Sequence, residues 1–134
     1  MRITPNKLKT IIGGMTQRQR EALVDLLLLG MFADQNLKVS EDQKILSVIQ
    51  EIGWQSYQTP ALYFQSAIAK VRDASETNQG TRYRLHKISE ALGDPETRAL
   101  ALNHLAKVLA VDEEVDSEET NFLNAAKAEF GIAK

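Results

Sequence analysis

The stretch LLLLGMFADQNLKVSEDQKILSVIQEIGW, residues 26–54, returns without a gap as HLAKVLAVDEEVDSEETNFLNAAKAEFGI, residues 104–132. Leu27 falls on Leu105, Met31 on Leu109, Ala33 on Val111, Leu37 on Val115, Ile45 on Leu123 and Ile52 on Phe130. Apolar coincidences of this kind arise readily between any two amphipathic helices. Three further matches are harder to obtain by chance: Asp34 on Asp112, Glu41 on Glu119 and Gly53 on Gly131. The pattern reads as an internal duplication of a helix–loop–helix unit.

Outward from the first copy, the punctuation stays helical. Thr16 followed by Gln19 has the spacing of a capping box, in which each side chain satisfies the other's free amide. It opens a helix over about residues 17–34, apolar on nearly every side from Ala22 to Ala33 and therefore central. Gly30 inside that run costs roughly 1 kcal/mol relative to alanine, which marks a place where another helix comes close. Ser40 with Gln43 starts a helix over 41–52, with Ile45, Val48, Ile49 and Ile52 on one stripe and Gly53 at the left-handed stop. Thr59-Pro60 is a cap followed by proline in the first turn. The helix it starts reaches about Ser75, with Leu62, Phe64, Ile68 and Val71 assigned inward. After a break at Glu76–Gly80, a helix runs from Thr81 to Ala91. Asp94-Pro95 opens one to about Ala110, and Ser117 starts the last, ending at Gly131. A short helix near 5–12 precedes them all. No segment alternates with the two-residue period of a half-buried strand. The expectation is one all-α domain over residues 1–134, six to seven helices in a compact orthogonal bundle.

Composition excludes several function classes. The chain has 134 residues and no cysteine, which removes disulfides, thiolate metal sites and thiol catalysis together. Residues 1–20 hold no apolar stretch of secretory length. Asp25 interrupts the longest apolar run, which falls short of the roughly 20 residues that cross a bilayer. A cytoplasmic protein without membrane insertion is expected. The net charge of −2 argues against nucleic acid as the partner, since nucleic-acid domains are far more basic. The charge is unevenly spread. Asp112–Glu119 holds six acidic residues and no basic one, while Lys70–Lys87 is a basic flank with Arg72, Arg82 and Arg84. That flank has two readings: a solvated helix face, or a surface that touches phosphate or an acidic partner.

The duplicated carboxylates are the candidate site. Glu41 and Glu119 sit in first helical turns, where the dipole favours an anion by about 0.3–1 kcal/mol. Asp34 and Asp112 sit at helix ends, where the same dipole opposes them, so something else must favour them. Either each accepts hydrogen bonds from free amides of a neighbouring helix, or the aspartate and glutamate of one or both copies converge on a cation. Such oxygen donors suit calcium, magnesium or manganese rather than zinc. Asp112, Glu114 and Asp116 alternate as in an EF-hand, but Ser117 occupies the position of the obligatory glycine and Leu123 that of the bidentate glutamate. The loop is not an EF-hand.

The passages GMFADQNLKVSED (30–42) and KVLAVDEEVDSEE (107–119) carry a resemblance. An apolar helix ending in Ala-Asp or Val-Asp, a short acidic loop and a Glu-rich helix start are similar to the TerB-like family. That family includes bacterial tellurite-resistance proteins and the N-terminal domain of a membrane-anchored DnaJ-like co-chaperone. The resemblance implies an all-helical, pseudo-symmetric domain, a bacterial stress or tellurite-resistance role, and a protein partner in a membrane-associated complex. It also implies divalent-metal binding by Asp34, Glu41, Asp112 and Glu119. The first loop departs from the family pattern: it reads Gln35-Asn36-Leu37-Lys38, with Lys38 where the second copy has Asp116.

Nothing in the chain has the spacing of a catalytic motif or a phosphate-cradling glycine loop. A non-enzymatic accessory protein is expected, with a metal-free protein-interaction module as the alternative. His104, on the buried helix of the second copy, reads as a core group, and His86 as exposed. Trp54, Tyr57, Tyr63 and Phe64 read as packing between the repeats.

Overall fold

Capping side chains set the start of several helices. The Thr16 amide donates to Gln19 Oε1 (2.8 Å) and the Gln19 amide to Thr16 Oγ1 (3.1 Å), closing the reciprocal box. The Leu62 amide donates to Thr59 Oγ1 at 3.3 Å, and the Thr97 amide to Asp94 Oδ1 at 2.8 Å. The computed structural model describes residues 5–32, 39–109 and 117–131. In it these signals yield α1 (Pro5–Gly14), α2 (Gln17–Phe32), α3 (Val39–Ile52), α4 (Pro60–Ser75), α5 (Asn78–Leu92), α6 (Pro95–Leu109) and α7 (Ser117–Glu129). The fold is all-α, and no strand occurs among the described residues. Two starts move from their expected places. α3 begins at Val39 rather than after Ser40. α5 begins at Asn78 rather than Thr81, because Thr77 is extended and accepts the Gly80 amide at 2.8 Å.

α2 is the hub. Every residue from Ala22 to Met31 is buried, and α3, α4, α5, α6 and α7 all pack on it, whereas α1 leans on α6. Removing one leucine side chain from water is worth about 1.5–3 kcal/mol, so the run Leu26–Leu29 anchors the core. Gly30 lets the second half approach. A Cβ there would lie 2.7 Å from Leu105 Cδ1 and 3.2 Å from Phe122 Cε2.

The duplication is carried by the backbone and reaches further than residues 26–54. α2 and α6 start at Gln17 and Pro95, α3 and α7 at Val39 and Ser117, in the same register. Gly53 and Gly131, with φ of +85° and +72°, adopt the left-handed conformation that glycine enters without a Cβ clash. Their helices share a further device. Arg20 Nε donates to the Ile52 carbonyl at 3.0 Å, and Arg98 Nη1 to the Phe130 carbonyl at 3.3 Å. The last carbonyls of a helix have no donor of their own and carry its negative pole, so a guanidinium belongs there.

Contacts between halves come in matched pairs. α3 packs on α6 as α7 packs on α2, and α2 meets α6 between them, the reciprocity of a two-fold arrangement.

The symmetry stops at α4 and α5. These cover α2 on a side where α6 has no equivalent cover, so Asp25, Leu28 and Leu29 are buried while Asn103, Ala106 and Lys107 are exposed. Two expected packing positions change. Leu62 is 54 % exposed, and Tyr63 and Ala67 join the expected Val71 in the buried stripe of α4. Of the four residues assigned inward, Val71 is buried, Phe64 and Ile68 are partly buried against the core, and Leu62 alone faces outward. Tyr57, expected in the packing between repeats, is fully exposed.

Candidate functional site

A polar cluster lies where α4 crosses α2. Asp25 of α2 is 7 % exposed. Tyr63 Oη donates to its Oδ1 at 2.7 Å, and Lys70 Nζ to its Oδ2 at 3.0 Å. Tyr63 and Lys70 stand two turns apart on α4, so one helix face delivers both. The Lys70 ammonium also lies 5.9 Å from the centre of the Tyr63 ring. Behind Tyr63, the Trp54 ring sits 5.4 Å away, and Trp54 Nε1 donates to the Gln58 carbonyl at 2.8 Å.

The protonation states follow from burial. Desolvation pushes the Asp25 carboxyl above the usual carboxylate range, opposed by the Lys70 charge and the Tyr63 bond. Burial, then the Asp25 charge, pushes the Tyr63 hydroxyl far above the ordinary phenol range. Tyr63 therefore stays protonated and acts as a donor, never as a base at neutral pH. The cluster is an acceptor held between two donors.

This cluster forms part of the wall of a cleft of about 500 Å³ between α2, α4 and α5. Arg18, Lys70, Arg84 and Lys87 bring four cationic groups to it, against the carboxylates of Glu21, Asp25 and Glu90. The basic flank is thus divided: Arg84 and Lys87 line this cleft, while Arg72 and Arg82 do not. His86 is exposed, 3.7 Å from Glu90 and 3.8 Å from Glu129, and His104 is buried on α6.

The four carboxylates singled out in the sequence cannot be placed against this cleft. Asp34 and Asp112 fall outside the described residues, and Glu41 and Glu119 stand in the first turns of α3 and α7 with their side chains outside the description. Among the described residues, no group of three or more His, Asp or Glu side chains is arranged to hold a metal. No described helix is long and apolar enough to cross a membrane.

The sequence reading missed the Asp25–Tyr63–Lys70 cluster. Its signal was present, since a carboxylate in the middle of an apolar helix must find partners or remain uncharged.

Comparison with curated proteins and with solved structures returns no match. A family model does match. The family described as tellurite resistance protein TerB fits residues 20–134, from the first pinning arginine through both halves of the duplication and the α4–α5 segment between them. On that match the chain belongs to the TerB family.

Proposed function

We propose that this TerB-family chain is a non-enzymatic, cytoplasmic accessory protein of bacterial stress or tellurite resistance. In this reading it binds a divalent cation through Asp34, Glu41, Asp112 and Glu119, and the bound ion sets the shape offered to a protein partner in a membrane-associated complex. The family match supports the resistance role. The observation that carries the cation reading is the Gly30 contact. It holds α2 against Leu105 and Phe122 only two residues before α2 ends at Phe32, and four before α6 ends at Leu109. The helices that lead into both acidic segments therefore meet close to their ends. Carboxylates are hard donors, and the set suits calcium, magnesium or manganese ahead of zinc.

Thermal melting of the full chain tests this. A cation at 100 times its dissociation constant adds about 2.7 kcal/mol of stability. The midpoint should rise over that in EDTA with at least one of the four ions, and the rise should vanish in Asp112→Asn/Glu119→Gln. An unmoved midpoint with all four removes the cation. The chain would then be read as a metal-free interaction module, and the same double variant should weaken capture of its partner.

A further inference from the structure

The cleft between α2, α4 and α5 has donors that its own acceptors do not use. Each of its carboxylates is engaged. Asp25 takes Tyr63 and Lys70, Glu21 accepts from Gln17 Nε2 at 3.2 Å, and Glu90 lies 3.8 Å from Lys87 Nζ. The guanidiniums are different. Arg84 is half-buried, and its Nε is shielded from solvent with no acceptor among the described residues. Arg18, on the first turns of α2, is exposed and makes no ion pair with a described carboxylate. A shielded charged donor without an acceptor is costly, and a planar guanidinium matches two oxygens of one anion.

We propose that this cleft is an oxyanion site, in which Arg84 and Arg18 receive a small multivalent oxyanion of the phosphate or tellurite type. Lys87, whose ammonium lies 5.6 Å from the centre of the Tyr83 ring, stands at the same cleft and adds charge. The cleft is far larger than one ion, so the anion binds with part of its water, and guanidinium charge selects it ahead of shape. The Asp25 carboxylate attracts the Arg84 charge while its oxygens accept from Tyr63 and Lys70, and Arg84 Nε is still left without an acceptor among the described residues. The site is separate from the four carboxylates of the cation reading and stands whether or not that reading holds.

The test is titration of the full chain with sodium phosphate, sodium tellurite and sodium chloride at matched ionic strength. It follows the Arg84 Nε–H and the Tyr83 and Lys87 amides by NMR. Phosphate, tellurite or both should give saturable shifts at millimolar concentration, and chloride should not. Saturation by one alone identifies which oxyanion the site takes. Arg84→Gln should weaken binding about tenfold or more, the equivalent of one lost charge-assisted bond. Arg18→Gln, an exposed change that leaves the core intact, should weaken it in the same direction. Arg72→Gln, outside the cleft, should leave it unchanged. Shifts that fail to saturate, or that persist undiminished in Arg18→Gln and in a folded Arg84→Gln, overturn the proposal.

Discussion

Asp25 is a carboxylate that the fold has enclosed. Burial places its folded pKa above the 3.8 of an unfolded chain, so the folded protein holds the proton more tightly than the unfolded one. The stability that this contributes is complete below 3.8 and is lost as pH rises through the folded pKa. Compared with Asp25→Asn, which cannot titrate, the wild-type chain should lose stability across that window, by at most about 1.4 kcal/mol per pH unit. Melting both proteins over a pH series checks this, and a constant difference between them would contradict it. Asp94 works in the opposite sense. The Thr97 amide that it accepts holds its carboxyl below the usual range, so its cap weakens only as the solution becomes acid. Asp94 was legible from sequence because an Asp-Pro pair announces a cap. Asp25 was not, because its partners lie 38 and 45 residues away, beyond any local pattern.

At the scale of the helix, the two arginines make unequal use of one geometry. Arg20 is buried (4 % exposed) and bonds the end of α3, whereas Arg98 is half-buried and bonds the end of α7. Where water can replace the donor, little is lost; where it cannot, the carbonyl is left unpaired. Arg20→Met should cost about 1–3 kcal/mol and Arg98→Met clearly less, measured by denaturant unfolding; the reverse order would show that exposure does not govern these bonds. Most helix starts and stops and the close approach at Gly30 were readable in the sequence, since caps, prolines and glycines act locally; the start of α5 at Asn78 was not. The arginine pins were not, although Arg20 and Arg98 stand in the register of the repeat. Each arginine finds its carbonyl 32 residues away, a pairing that no local pattern announces. Leu62 alone was misplaced on the inward face of α4, for a related reason. Leu62 is the more apolar residue, but Tyr63 is the one whose hydroxyl finds Asp25, and tertiary contact decided between them.

Taken whole, the molecule is a two-fold pair made lopsided by what lies between its halves. The duplication and the all-helical class came from periodicity, which needs no geometry. The cleft could not, because it takes Arg18 from α2, Lys70 from α4 and Arg84 from α5, three helices whose crossing no pattern records. The central position of α2 also decides how the protein breathes. A residue is released to solvent only when everything leaning on it has parted, and five of the other six described helices lean on α2. Amide protons of Leu23–Leu29 should therefore exchange with deuterated water only through global unfolding, and those of α1 through fraying near zero cost. Slow exchange in α1 with fast exchange in α2 would refute this order. Opening the last-yielding segment means dismantling both halves together, so neither half of this duplicated chain can come apart by itself.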